Sequence, residues 1–179
     1  ASEYLVLPRG QLTDSAYRTA DLDVAGATAV ETAELRGRHR LRTVRERFYG
    51  TEDPAERDRI VSTTLRDVAD RVDRLRADQR AALGAYSDDE IGSDRLFRTV
   101  GLLQARADQE SRIVSVMLGE FQSTPGFSIG DRTPFNRVRG EVVAVRGSIR
   151  SQIVRALDGS RGPIPVYVDT SAEGLALSR

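Results

Sequence analysis

Two stretches of the chain carry their apolar residues at alternating spacings of four and three. In the first, Val61, Leu65, Val68, Val72, Leu75, Gln79, Ala82 and Tyr86 succeed one another in this way. In the second, Leu96, Val100, Leu103, Ala107, Glu110, Val114, Met117 and Phe121 do the same. The alternation lays a single apolar stripe along a long helix, ready for a partner helix to cover. Residues 87–93 between the two stripes are mostly polar and few, so the two helices are expected to fold back on each other as an antiparallel hairpin.

Punctuation residues extend the pattern into a chain of helices. Asp53 and Pro54 read as an N-cap and a first helical residue, which starts a helix over 54–85. Ser93 or Asp94 is expected to cap the next, over 94–122, and Ser123-Thr124-Pro125-Gly126 ends it. Upstream, Thr13 or Asp14 can cap a short helical turn through about Ala20, and Asp23 reads as the N-cap of a helix over 24–49. Ala27, Val30, Leu41, Val44 and Phe48 would face the core there, with Gly50 as the stop. Downstream, Phe127 and Ile129 anchor a loop, and Thr133-Pro134 opens a helix over 134–157. It carries Phe135, Val138, Val142, Val145, Ile149, Ile153 and Leu157 at helical spacing. The ends read differently. Residues 1–8 and 164–178 alternate as strands, which would pair into a small β element joining the termini. The fold class is therefore mainly α: an elongated, coiled-coil-like helical bundle in one domain, 1–179, with that β element as its cap. Two strands alone are marginal, so an exposed edge there offers a route to self-association.

Composition narrows the chemistry. Among 179 residues there is no cysteine, which rules out disulfides, thiolate catalysis and cysteine-held zinc or iron-sulfur centres. The 27 acidic and 27 basic residues cancel, so attraction to nucleic acid or to an anionic membrane can come only from a patch. Every basic residue except His39 is Arg, and Asn136 and Met117 are each the only one of their kind. That pattern reads as the codon bias of a GC-rich genome. No run approaches the roughly 20 apolar residues that span a bilayer. The start at Ala1 fits either a mature end left by signal-peptide removal or a fragment boundary.

The runs Glu3-Tyr4-Leu5-Val6-Leu7-Pro8, Leu22-Asp23-Val24, Ser123-Thr124-Pro125-Gly126-Phe127-Ser128 and Val166-Tyr167-Val168-Asp169-Thr170-Ser171 together resemble exported haloarchaeal proteins of unknown function. The resemblance implies an archaeal protein with a signal peptide followed by a coiled-coil-rich domain, placed outside the cell near the membrane. It implies no catalytic residues and no cofactor.

The residues offer few sites of their own. His39 is the single histidine and sits between Arg38 and Arg40, whose charges oppose both its protonation and a bound cation. It reads as a surface residue. No nucleophile elbow, P-loop or dinucleotide fingerprint occurs. The acidic run Asp88-Asp89-Glu90 lacks the spacing of a calcium loop and reads as a solvated turn near the next helix N-terminus. The strongest charge feature is 36–47, in which Arg36, Arg38, Arg40, Arg42, Arg45 and Arg47 face a single Glu46. These six form a candidate basic contact patch for phosphates or anionic lipid headgroups. Asp58, Asp67, Asp70, Asp73 and Asp78 on the neighbouring helix are expected to neutralise much of it. Gln79 and Glu110 interrupt the two stripes at comparable distances from the turn, and a hydrogen bond between them would set the register.

These observations lead to the expectation of a non-enzymatic scaffold or interaction domain on the cell exterior, bound to a protein partner or to itself, with no metal, cofactor or small-molecule substrate. An extracellular ligand-sensing bundle, and a cytoplasmic coiled-coil protein whose basic helix binds nucleic acid, are the alternatives.

Overall fold

The computed structural model describes residues 16–157, with side chains from 26 to 152. Four helices follow one another: α1 (Ala16–Tyr49), α2 (Pro54–Ser87), α3 (Ser93–Val116) and α4 (Thr133–Leu157). A π-helical turn, Met117–Phe121, prolongs α3 without a break. The expected terminal strands, 1–8 and 164–178, lie outside the described residues.

Both stripes are buried. Seven of the eight stripe positions on α2 are covered and Tyr86 packs at the edge of the core, while all eight on α3 and its π turn are covered. α3 is the hub of the bundle, since α1, α2 and α4 each pack extensively on it, whereas α1 meets α2 only sparsely. α2 and α3 lie side by side beyond a turn at 88–92, and Arg106 reaches Asp78 across them at 3.6 Å. The fourth helix adds Phe135, Val138, Val142, Val145 and Ile149 to the same core.

Local chemistry explains most boundaries. Asp53 accepts a hydrogen bond from the Ala55 amide at 3.1 Å, and Pro54 opens α2 where its missing N–H costs nothing. Phe127 and Ile129 are buried and pin the loop before α4. There the Asp131 carboxylate accepts the Thr133 amide at 2.8 Å, and that bond holds its pKa below the ordinary value.

Three expectations are corrected. Asp23 does not cap a helix, because α1 already runs from Ala16 through it. No glycine or proline separates Ala20 from Asp23, and the modest helix cost of Asp does not stop an established helix. Neither Ser93 nor Asp94 caps α3; Gly92 is the N-cap and no side chain bonds there. Ala27 is exposed, not in the core.

The packing face of α1 is instead lined by small residues. A β-carbon built on Gly37 would lie 2.4 Å from the Gln109 Cγ and 2.6 Å from its Cδ, and Gln109 is itself buried. The Gln109 side chain takes the space that any side chain at position 37 would need, which only glycine leaves free. At the far end of α1, Phe48 stacks on Phe121 of the π turn with ring centroids 3.9 Å apart and planes 4° from parallel. Phe127 meets the same Phe48 ring edge-on at 5.0 Å.

Gly37→Ala should therefore lower the unfolding midpoint. The gain of about 1 kcal/mol in helix propensity is outweighed by overpacking of about 1–3 kcal/mol. Gly37→Ala with Gln109→Ala should recover most of that loss, as read by chemical denaturation.

Candidate anion-binding groove

The run of arginines on α1 is largely neutralised by its surroundings. Arg38 pairs with Glu34 and Arg42 with Glu46 along the helix. Arg40 reaches across to α3 and grips Glu110 with both terminal nitrogens, at 2.7 and 2.8 Å. Arg45 holds Glu120 of the π turn. Of the six residues in the expected contact patch, only Arg36 and Arg47 have no carboxylate partner among the described residues. The acids that do the pairing are also not the expected ones. They come from α1 and from α3 with its π turn, because α1 lies chiefly on α3 and only sparsely on α2. Asp78 pairs with Arg106 of α3, and Asp73 pairs with Arg76 of its own helix. His39 is exposed, and so is the acidic turn 88–90. Among the described residues no group of three His, Asp or Glu is arranged to hold a metal ion.

Gln79 and Glu110 do not bond to each other. Glu110 takes Arg40 from α1, while Gln79 donates to the Ser148 hydroxyl of α4 at 3.0 Å. Each polar misfit in a stripe thus addresses a third helix instead of the facing one. The Glu110 side chain is 3% exposed and Arg40 30%, so an ionised carboxylate in the apolar seam is tolerated only because a bidentate guanidinium meets it. The Gln79 side-chain oxygen, both polar atoms of the Gln152 amide and one Arg76 nitrogen are buried with no hydrogen-bond partner among the described residues.

Above the Arg40–Glu110 pair the surface opens into a groove of about 830 Å³. Its floor is low because α1 contributes Ala29, Ala33 and Gly37 there, with Leu75 of α2 and Leu102 of α3 opposite. Five arginines line it: Arg36 and Arg40 from α1, Arg71 and Arg74 from α2, and Arg106 from α3. Only Asp78 and Glu110 answer them within the groove. Arg36, Arg71 and Arg74 make no ion pair among the described residues, so the lining carries a surplus of three positive charges in a chain that is neutral as a whole. Such a recess concentrates anions. Of the sequence-derived patch the groove keeps Arg36 and Arg40. Arg71, Arg74 and Arg106 were missed, although two signals were present: small residues every four positions on α1, and arginines bordering the stripes near Leu75 and Ala107.

At the other end of α1 the Arg45–Glu120 pair is joined by Tyr49, whose hydroxyl donates to Glu120 at 3.0 Å. The hydrogen bond from Arg45, aided by that of Tyr49, holds the Glu120 carboxyl below the usual glutamate range against the opposing effect of burial. The Tyr49 phenol is pushed up, chiefly by burial.

Two measurements check this electrostatic reading. Glu110→Ala leaves the Arg40 charge without its partner and should cost about 3–5 kcal/mol in urea unfolding, whereas Arg40→Met with Glu110→Leu should recover most of that loss. For Glu120, a depressed folded pKa means that its contribution is complete above the unfolded glutamate value and fades as pH falls through the folded one. The pair is partly exposed, so solvent screening limits that contribution to about 1 kcal/mol or less. Wild-type stability should therefore fall more on acidification than that of Glu120→Gln, and the two should converge at the acid end.

No described helix is long and apolar enough to cross a membrane. Neither a curated protein nor a solved structure matches the chain. A family model described as a domain of unknown function, DUF7096, matches residues 1–162, so this helical chain with its arginine-lined groove belongs to the DUF7096 family.

Proposed function

We propose that this domain is a non-enzymatic interaction module, a coiled-coil-like helical scaffold that presents the α1–α2–α3 groove to a negatively charged partner on the cell exterior. The observation that carries the reading is the division of the arginines. Those on α1 that touch α3 are matched by acids, while Arg36, Arg71 and Arg74 around one recess have no acid partner among the described residues. A scaffold that needed these residues only for solubility would have no reason to gather them over a floor of alanine and glycine. The acids that reach into the bundle, Glu110 and Glu120, are each held by an arginine, so they serve geometry and not proton transfer. Placement outside the cell rests on the resemblance to exported haloarchaeal proteins. The strand-like segments 1–8 and 164–178 would supply an edge for self-association.

The groove also favours the ligand-sensing alternative, since its volume falls in the range of small-molecule sites. The nucleic-acid alternative gains nothing, because four of the six arginines in the candidate basic patch are already paired.

The test is fluorescence anisotropy of the full chain with two labelled polyanions, an oligoglutamate peptide and dextran sulfate. At least one should bind saturably, weaken as salt is added, and lose its binding in Arg71→Glu with Arg74→Glu. Binding by neither, or binding unchanged in that variant, overturns the proposed role of the groove.

A further inference from the structure

Resting on the reading of the groove as the working surface, we infer that its ligand carries phosphate, as a phosphomonoester pair or a diphosphate on a small organic body. Three features point there together: the size of the charge surplus, its placement and the floor beneath it.

The surplus of three charges sets the class of anion. A single carboxylate would leave most of it unanswered. A phosphomonoester brings about 1.5–2 negative charges, so two of them, or a diphosphate, close the balance left by Arg36, Arg71 and Arg74. Placement sets the geometry. Arg71 and Arg74 stand one helical turn apart on α2 and so present adjacent guanidinium groups, while Arg36 comes from a different helix, α1. An anion with oxygens pointing in several directions can meet guanidinium groups from both helices, as a tetrahedral phosphate does and a planar carboxylate does not. These three arginines are bound to no acid among the described residues, so binding displaces no ion pair. Arg106 sits at 3.6 Å from Asp78, long for a charge-assisted hydrogen bond, and is placed to contribute a fourth guanidinium. Beneath the charges Ala29, Ala33, Leu75 and Leu102 form an apolar floor, which gives the organic part of the ligand a surface to cover.

The same chemistry is offered by a free phosphorylated metabolite and by a phosphate-bearing lipid headgroup, and the experiment separates them. Isothermal titration of the full chain with inorganic pyrophosphate should show saturable binding. Citrate at the same ionic strength should bind about tenfold more weakly or worse. Flotation with phosphatidylcholine vesicles, with and without phosphatidic acid, reports the headgroup source. Arg71→Gln with Arg74→Gln should weaken pyrophosphate binding by about tenfold or more, and Arg36→Gln, on the other helix, should weaken it independently. Arg137→Gln, outside the groove, should leave it unchanged. Because the three groove arginines hold no ion pair among the described residues, the variants should keep the wild-type unfolding midpoint, which separates lost binding from lost fold. Saturable pyrophosphate binding or phosphatidic-acid-dependent flotation, lost in the groove variants, supports the inference and names the source. If oligoglutamate binds through Arg71 and Arg74 while neither phosphate probe does, the inference fails and the broader reading of the groove stands. If no anion binds, both fail.

Discussion

A guanidinium from α1 laid on a carboxylate sunk in the seam of α3 is the contact on which the geometry of this bundle depends. Glu110 occupies a position where the surrounding stripe is apolar, and an isolated charge there would cost several kcal/mol. Arg40 removes that penalty only when α1 lies at one height and one rotation relative to α3. Gly37, one turn earlier, then lies directly against the Gln109 side chain of α3, and Ala33 and Ala29 line the groove beyond it. The small residues let α1 sink toward α3, and the recess beside it is the space that larger side chains would have filled.

The two central helices were legible from the sequence because their burial is periodic. Leu96 through Phe121 and Val61 through Ala82 need only a partner on one side, and the three-four alternation records that demand directly. The helix ends near Tyr49, Pro54 and Ser87 were legible for a different reason, since glycine, proline and capping carboxylates act locally. α1 was read less well. Its contact face is built from Ala29, Ala33, Gly37 and Arg40, which no hydrophobic scale marks as core, and its start was misplaced because Asp23 looks like a cap and acts as an interior residue. The pairing of Gln79 with Glu110 was inferred from distance along two helices, whereas the bundle gives each of them a neighbour from elsewhere in the chain, Ser148 and Arg40. The groove was hidden for the same reason. Arg71, Arg74 and Arg106 are unremarkable in their own helices, and they become a group only when α1 brings its shallow face between them.

A chain that uses arginine for all its cationic side chains places different demands on each. Bidentate grips such as Arg40 on Glu110 need the planar fork, and a lysine would meet only one carboxylate oxygen there. Arg57 turns to the backbone, its Nε–H shared between the Phe48 and Thr51 carbonyls, while its guanidinium lies 5.0 Å from the centre of the Phe48 ring. It thereby closes the turn between α1 and α2 over the aromatic stack of Phe48, Phe121 and Phe127. Arginines at the seam and the turns are thus absorbed by structure, whereas Arg36, Arg71 and Arg74 line a single recess without an ion pair among the described residues.

Register explains why polar residues are kept inside the stripes at all. A repeat of seven allows two helices to slip by one heptad, about 10.5 Å at 1.5 Å per residue, while apolar residues still meet apolar residues over most of the overlap. Burial alone therefore discriminates poorly between neighbouring registers. A slipped α1 would separate Arg40 from Glu110, leaving a buried carboxylate uncompensated, and a slipped α4 would take Ser148 from Gln79. The first loss alone is worth about 3–5 kcal/mol, a large part of the 5–15 kcal/mol that typically holds a domain together. The misfits tie α1 to α3 and α4 to α2, and the stack of Phe48 on Phe121 adds a second tie near the C-terminus of α1. Arg36 lies one turn before Arg40, so the contact that ties Arg40 to α3 also sets where Arg36 stands in the groove it shares with Arg71 and Arg74. A fixed placement is what allows a groove to distinguish one anion from another by shape as well as by charge.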